Sequence, residues 1–561
     1  ASVSMTAVLV PSAMGWFLAF MVFTMTKLLL TLENVSYSLP NGSTLFRNLH
    51  AQLSDTSVGL VGRNGVGKSV LARILAKQVA PTSGYCNHYG SVYYLPQQLP
   101  LTAKTTLAEL AGVGPEISAL ARIEQGSIDP NDFKLLGDRW DIRQELQQIV
   151  ASAGLAATPA ATLACKLSGG QAMRIALAGA MHAKPDLLIL DEPSNHLDGE
   201  HRQALIQQLQ NWKSGLLVIS HDRQLLNTLE HIIELSPSGL SHYGGNYAFY
   251  SQRKAAEQRV ALETLEQSKR QRRREERGMQ QHRERIARRQ ARGKTQRREG
   301  SQSKLILDSR QQRSENASGK LQRQHDARRN SLVETIHSAQ KALDNAAVIA
   351  VHSTNKGRHS RRVAEFNDIQ LPFVSHSTPL NITLTTQHKV GIVGPNGSGK
   401  STLLQVIAGV LKARSGDVYT TKQCAYLDQH LSALDPQRSA LAQLREISPG
   451  TPEEQQRMRL AQLGLGPDKL LAPCRELSGG EQLKAYLACL LYADSPPNLL
   501  LLDEPSNHLD LPSLSALESM LRDYSGCLVV ISHDSYFLSE LQLSHRLRLS
   551  PPHWQLEPWR D

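Results

Sequence analysis

The sequence predicts an α/β protein of two similar halves joined by a long, basic, helical segment. Three observations carry that prediction. Four short segments occur twice, in the same order. Each half contains continuous apolar runs, LLILD at Leu187–Asp191 and LLLLD at Leu499–Asp503, as buried parallel strands require. The positive charge of the chain is concentrated between the two halves.

At 561 residues the chain is too long for one ordinary domain. Apolar residues make up 40% and charged residues 20%, which fits a globular protein and excludes a fibrous or wholly disordered one. The six cysteines (Cys86, Cys165, Cys424, Cys474, Cys489 and Cys527) lie far apart, with no CxxC or Cys/His pair at ligand spacing. That argues against a zinc ribbon, an iron–sulfur cluster or a disulfide scaffold and predicts a reduced, cytoplasmic protein.

The joining segment is the most unusual part of the composition. Residues 251–330 hold 24 Lys and Arg against 10 Asp and Glu, a net of +14, while the whole chain carries +11. The segment is rich in helix formers and lies in a stretch with no proline between Pro237 and Pro372. Two long helices are predicted, at about 249–293 and 303–346, with an irregular tip at Gly293–Lys320. A mixed-charge helix often only spaces two domains. Here the imbalance is one-signed, and Arg272–Arg274, Arg288–Arg289 and Arg297–Arg298 cluster as phosphate-backbone contacts do.

Residues 1–24 are apolar and uncharged, and their length approaches a membrane span, without the basic region of a signal peptide. The expectation is sequence upstream of a start at Met25, with a signal anchor as the alternative. The expected organisation is therefore this apolar segment at 1–24, a first domain at 25–248, the basic helical linker at 249–350 and a second domain at 351–561.

The repeats carry the chemistry. GRNGVGKS at Gly62–Ser69 returns as GPNGSGKS at Gly394–Ser401, each after an apolar strand and before a helix. This is the P-loop pattern. Gly62, Asn64, Gly65 and Gly67, with Gly394, Asn396, Gly397 and Gly399, let backbone N–H groups wrap phosphates at a helix N-terminus. Lys68 and Lys400 would reach the β- and γ-phosphates, and Ser69 and Ser401 would ligate Mg²⁺. Thr402 follows Ser401, whereas Val70 follows Ser69, so the first loop lacks one hydroxyl.

The LLILD and LLLLD runs end in Asp191 and Asp503 at the edge where open α/β sheets bind ligands, which suits Mg²⁺. Glu192 and Glu504 follow and can orient or deprotonate an attacking water. VISHD at Val218–Asp222 returns at Val530–Asp534, offering His221 and His533 to the γ-phosphate. LSGGQ at Leu167–Gln171 returns as LSGGE at Leu477–Glu481. Ser168, Gly169 and Gly170, with Ser478, Gly479 and Gly480, make a second anion-binding nest in each half. The offset between copies is 332 at the glycine loops and 310 at LSGG, so the first copy holds about 20 extra residues between them.

P-loop, LSGG[QE], LLLDEP, SNHLD and SHD together resemble the ATP-binding cassette ATPases. Twin cassettes with DEPSNHLD in both halves and a basic linker between them resemble the ABC-F subfamily, over about residues 27–561. The resemblance implies two ATP and two Mg²⁺ held head to tail between the cassettes. It adds Gln97 in YLPQQ and Gln429 in YLDQH as metal-side glutamines. It also pairs the glycine loop of each half with the LSGG segment of the other. Its members are ribosome-associated ATPases acting in translation, some of which protect the ribosome from antibiotics. The linker would then contact rRNA and tRNA near the ribosomal exit site and the peptidyl-transferase centre, through Arg292, Lys294, Arg297, Arg298 and Lys304. Tyr37 would stack on adenine in site one, and by spacing Ile369 holds that place in site two unless Phe366 or Phe373 substitutes. The alternatives are the ATPase subunit of a membrane ABC transporter and a DNA-repair ATPase. The first predicts an unremarkable linker, and the second a far longer coiled coil inside one cassette.

Overall fold

A computed structural model describes residues 27–99, 102–156, 158–159, 162–195, 197–298, 327–339, 361–373, 379–428, 434–463, 465–493, 496–507, 509–550 and 553–559. The apolar segment at 1–24, Gln429 and Lys304 lie outside them. The chain divides into two compact units at Tyr247/Ala248.

The first unit is built from β1 (Leu28–Ser38), β2 (Thr44–Ser54), β3 (Ser57–Val61), β4 (Ser83–His88), β5 (Val92–Leu95), β6 (Leu187–Asp191), β7 (Gly215–Ile219), β8 (His231–Ser236) and β9 (Gly239–Tyr243). They form a six-stranded sheet in the order β5-β6-β7-β3-β8-β9, parallel except for β9, and a three-stranded antiparallel sheet β2-β1-β4.

The second unit repeats the plan with β10 (Arg362–Gln370), β11 (Leu380–Thr385), β12 (Lys389–Val393), β13 (Ser415–Thr420), β14 (Cys424–Leu427), β15 (Leu499–Asp503), β16 (Cys527–Ile531), β17 (His545–Ser550) and β18 (His553–Pro558). Its sheets run β14-β15-β16-β12-β17-β18 and β11-β10-β13.

The strand alternation explains the placement of the acids. In the second unit Leu499, Leu501, Val529 and Ile531 join the core shared with the three-stranded sheet and the P-loop helix Lys400–Ile407. Leu500, Leu502, Leu528 and Val530 join the core beneath the helices Gly479–Leu491 and Leu511–Asp523. Successive residues of a strand face opposite sides. Asp503 therefore shares the face of Leu499 and Leu501, which is the face of the P-loop helix. Leu187 and Ile189 place Asp191 the same way, in the core that holds Leu71 and Ile74 of the helix Lys68–Leu75.

The extra residues of the first copy form two helices, Gly114–Glu124 and Pro130–Leu136. An ion pair between Arg122 and Asp132 and a 2.8 Å hydrogen bond from Ser127 Oγ to Asp132 Oδ2 clip them together. In the second copy the helix Ala440–Ile447 leads directly to Glu453–Gln462.

The linker helix runs from Tyr247 to Arg298, longer than the expected 249–293. Gly278 and Gly293 do not break it, because an isolated glycine costs only about 1 kcal/mol in a helix and the Arg, Gln and Glu around it favour one. The helical backbone thus includes Gly293, where the irregular tip was expected to begin. Ion pairs Arg253–Glu257, Arg270–Glu266 and Arg272–Glu276 brace it at i,i+4 spacing. Residues 327–339 form a second helix. Leu265 packs with Ile336 and Ala339, and Arg328 Nε lies 3.0 Å from Glu275. The two pairings run in opposite senses along the chain, so the helices are antiparallel, as a hairpin requires. Among the described residues no helix is long and apolar enough to cross a membrane.

Both three-stranded sheets depend on a paired bulge. Asn34 and Asp368 adopt left-handed φ of 52° and 51°, facing Gly84 and Gly416 at φ 87° and 86°. A Cβ on Gly84 would stand 2.3 Å from Asn34 O, and one on Gly416 2.4 Å from Asp368 O. Gly84→Ala and Gly416→Ala are expected to destabilise their own half by about 2–3 kcal/mol, through backbone strain that cannot be repacked. A lowered urea midpoint for one half, with the other half unchanged, checks this.

Candidate functional site

The two glycine loops have the same geometry. Gly65 and Gly397 have φ of 78° and 80°, and Gly67 and Gly399, which cap the following helices, 103° and 91°. A Cβ on Gly62 would lie 2.4 Å from Leu235 O, and one on Gly394 2.4 Å from Leu549 O, so both loops are pressed against the neighbouring strand. Lys68 Nζ donates to Gly62 O at 2.7 Å and Arg63 O at 3.2 Å, and Lys400 Nζ to Gly394 O and Pro395 O at 2.9 Å each. Both ammonium groups are buried, each 8% exposed. Asn64 and Asn396 lie within these loops.

Sheet order brings the remaining groups to the same edge. β7 lies between β6 and β3, and β16 between β15 and β12. Asp191 stands opposite Ile219 and Asp503 opposite Ile531. Ser69 hydrogen-bonds Asp191 and Ser401 hydrogen-bonds Asp503. Tyr94 also donates to Asp191 Oδ2, at 3.2 Å. Asp191 and Asp503 are 2% and 3% exposed, and burial raises the pKa of both. The buried Oδ1 of each accepts no hydrogen bond among the described residues. A buried carboxylate oxygen left over beside a serine hydroxyl and a lysine is a donor set that fits a divalent cation on a phosphate.

Glu192 and Glu504 both have φ of 50°. Their N–H groups donate to Ile219 O at 2.8 Å and Ile531 O at 3.0 Å, which locks the turn. Neither acid caps a helix. The caps are Asp198 and Asp510, six residues further on, whose carboxylates accept from His201 N at 3.1 Å and Ser513 N at 2.9 Å. His221 Nε2 lies 3.5 Å from Glu192 Oε1, and His533 Nε2 3.4 Å from Glu504 Oε1. Burial holds Glu192 well above the usual carboxylate range, against the pull of Lys68. Asp222 and Asp534 keep each histidine in place by capping the next helix, where Asp222 accepts from Gln224 N at 3.0 Å and Asp534 from Phe537 N at 3.1 Å.

The LSGG segments begin helices, as expected: Gly169–His182 and Gly479–Leu491. The fifth residue explains why Gln and Glu are interchangeable here. Gln171 Oε1 accepts from Ser168 N at 2.9 Å, and Glu481 Oε2 from Ser478 N at 3.1 Å, so each closes a capping box. Ser168, Gly169, Ser478 and Gly479 are exposed, while Gly170 is half-buried and Gly480 buried. A Cβ on Gly169 or Gly479 would meet nothing within 4 Å. Neither has a left-handed φ. Nothing within its own half demands a glycine at either position.

Two parts of the site differ from the sequence reading. Gln97 is half-buried two residues past β5, whose Leu95 pairs with Leu190 beside Asp191. Tyr94, three residues before it, and Tyr426, at the matching place in the second half, bond the two aspartates through their hydroxyls, and sequence reasoning missed both. Their signal was available, since YYLPQQ and AYLDQH repeat a tyrosine at the same offset of 332 as the glycine loops. Burial and Asp503 push Tyr426 up to about 12, so it remains a donor.

The second difference is a correction. Equal spacing from the glycine loop matched Tyr37 with Ile369. The bulges at Asn34 and Asp368, and the pairings Ser36↔Ser83 and Gln370↔Ser415, match Tyr37 with Leu371 instead. The connection from β1 to β3 differs in length from that between β10 and β12, so spacing misleads by two residues.

Fold and site together define a twin-cassette P-loop ATPase. A family model described as "ABC transporter" matches residues 47–195 and 377–507. The energy-dependent translational throttle protein EttA of Mycobacterium tuberculosis is 32% identical over 508 residues, covering 86% of this chain and 84% of that protein. The putative ATP-binding protein YdiF of Bacillus subtilis is 28% identical over 539 residues, covering 91% and 78%. Among solved structures, the archaeal ribosome recycling factor aABCE1 in complex with the ribosomal stalk protein aP1 has a TM-score of 0.59 at 17% identity, over 94% of this chain and 90% of that one, a likeness of fold. The chain belongs to the ABC-F subfamily of ATP-binding cassette ATPases, and it is an ATP hydrolase.

The raised pKa of Glu192 makes a prediction about the nucleotide-free chain. A folded-state pKa above the unfolded one means that this acid's contribution to stability is whole at low pH and is lost as pH rises. Glu192→Gln is expected to stabilise the first half by on the order of 2 kcal/mol at pH 8 and by nothing at pH 4. Thermal unfolding across that pH range checks the sign.

Proposed function

We propose that this protein is a ribosome-associated ATPase of translation, acting in the cytoplasm, which binds ribosomes in its ATP-bound form and leaves after hydrolysis. The observation that carries the reading is the position of the hairpin. Two matched P-loop sites flank antiparallel helices whose stretch, residues 251–330, holds the chain's whole excess of positive charge. The names of the relatives support it, since one is a translational throttle protein.

In each site the loop glycines and lysine hold the phosphates, by Lys68 in one and Lys400 in the other. Ser69 and Asp191 with Gln97, and Ser401 and Asp503 with Gln429, would hold Mg²⁺. The ion supplies charge neutralisation along the phosphate chain. Glu192 and Glu504 take the proton of the attacking water, and His221 and His533 orient those carboxylates and face the γ-phosphate. Ser168, Gly169 and Gly170 would meet the nucleotide of the other half, as would Ser478, Gly479 and Gly480. This explains Gly169 and Gly479, which their own half does not require. Each γ-phosphate gripped from both sides makes ATP a switch that favours a closed form.

Arg292, Lys294, Arg297 and Arg298 belong to the last turns of the helix Tyr247–Arg298. With Lys304 they would bind rRNA or tRNA phosphates, which gives affinity without sequence reading. Ribosome protection against antibiotics is one outcome this binding could serve.

Two experiments test the proposal. The Glu192→Gln, Glu504→Gln double variant should co-sediment with ribosomes in ATP and be released by RNase. Release by DNase, or recovery in membranes, with ATP binding intact, would overturn it. Replacing the five linker cations with Ala should weaken ribosome binding and lower its salt slope by about 0.7–0.9 for each phosphate that is no longer neutralised. ATP binding should be unchanged.

A further inference from the structure

Beside each strand-end aspartate stands a group of side chains that the two halves share in geometry but not in charge. Tyr94 pairs with Ile189 and Tyr426 with Leu501, so each tyrosine faces the side of the sheet on which Asp191 or Asp503 lies. The Tyr94 hydroxyl donates to Asp191 Oδ2 at 3.2 Å, and the Tyr426 hydroxyl bonds Asp503. From the P-loop helices, Ser69 and Ser401 bond the same two aspartates. One helical turn beyond each serine, at i+4, come Arg73 and Gln405. The Gln405 side chain bonds the Tyr426 hydroxyl, which completes a path from helix through tyrosine to aspartate. Arg73 takes that place in the first half, where its charge acts on both Tyr94 and Asp191.

A second exchange follows the tyrosine in sequence. YYLPQQ has Pro96 where AYLDQH has Asp428, at the offset of 332 that also relates Arg73 to Gln405 and the two glycine loops to each other. The half-buried Asp428 acts by its charge on Tyr426 and Asp503. Arg73 and Pro96 sum to a formal +1 in the first half, and Gln405 and Asp428 to −1 in the second. In both halves the oxygen of the aspartate left over is Oδ1, which is buried and accepts no hydrogen bond among the described residues.

We propose that the two sites hold their divalent cation with unequal strength. Tyr94 and Tyr426 are positioning residues that keep Oδ1 of Asp191 and Asp503 turned to the ion, while Arg73 weakens its hold at site one and Asp428 strengthens it at site two. The physical reason is Coulombic. A divalent ion feels a neighbouring fixed charge twice as strongly as a monovalent one does, and with opposite sign at the two sites. Arg73 is exposed, so water and salt screen its share. The proposal rests on the reading of Ser69, Asp191, Ser401 and Asp503 as the metal side of each site. At limiting Mg²⁺, site two would hold metal and nucleotide together while site one held nucleotide alone.

The test measures binding, in the Glu192→Gln, Glu504→Gln chain so that ATP survives. Adding Lys400→Ala leaves site one, and adding Lys68→Ala leaves site two. ATP affinity is measured at each with Mg²⁺ and with EDTA, and the ratio of the two is the gain from the metal. At low salt the gain should be about threefold or more larger at site two, and the difference should shrink in about 1 M salt, where the screening length falls to about 3 Å. Arg73→Gln should raise the gain at site one about two- to threefold, and Gln405→Arg should lower it at site two by about as much. Asp428→Asn should also lower it at site two. Tyr94→Phe and Tyr426→Phe should each lower the gain at their own site and leave metal-free ATP affinity unchanged, a split that a merely structural role would not produce. Equal gains at the two sites, or a gain at site one that Arg73→Gln does not move, would overturn the asymmetry. Unchanged gains in the tyrosine variants would overturn the positioning role. No gain from metal at either site would overturn the metal-side reading and the asymmetry with it, whereas loss of ATP binding with and without metal would overturn the P-loop assignment itself.

Discussion

Each half of the molecule depends on a lysine ammonium buried at the head of a helix and bonded back to its own glycine loop. Lys68 and Lys400 are removed from water, and two loop carbonyls take the place of that water. A buried cation is tolerated only when its hydrogen bonds are made. The loop carbonyls can reach the ammonium only if the chain turns through left-handed φ at Gly65 and Gly67, or at Gly397 and Gly399. The loop is thus shaped before a phosphate arrives, and binding needs little ordering of the backbone.

The carboxylates across from that lysine are a stability liability. Asp191, Asp503 and Glu192 are buried with raised pKa, and Ser69, Tyr94, Ser401 and Tyr426 meet only part of their hydrogen-bonding capacity. Groups perturbed by burial at the mouth of a sheet are the usual mark of a working site. The core of each sheet compensates: the runs ending in these acids are wholly buried, as are β7 and β16 on one side of them.

The halves are alike where the chemistry is shared and differ elsewhere. Both hold glutamates at φ 50°, histidines within 3.5 Å of them and a capping box behind LSGG. They part at the helices Gly114–Glu124 and Pro130–Leu136 and at the Tyr37 position. The second half builds the same glycine loop, acids and histidine without the two extra helices, so that geometry does not depend on them.

Most of the candidate site was legible in the residues, because P-loop, strand-end acid and histidine each need a fixed local chain path. A continuous apolar run predicts a buried strand, and the acid after it must emerge at the sheet edge. The basic hairpin was legible for a similar reason, since charge and helix propensity are sums over neighbours in sequence. The end of the first linker helix was misjudged, because a glycine's helix penalty is small and the surrounding residues outweigh it. Pairing across the chain was not legible at all. Spacing assigned Ile369 to the place of Tyr37, whereas the ladder between β10 and β13, offset by the bulge at Asp368, puts Leu371 there. The identity of the groups in this protein follows from the order of its amino acids. Which of them share a face, which tyrosine reaches which aspartate and which carboxylate oxygen goes without a partner were decided by strand register and packing, which act between residues far apart in the chain.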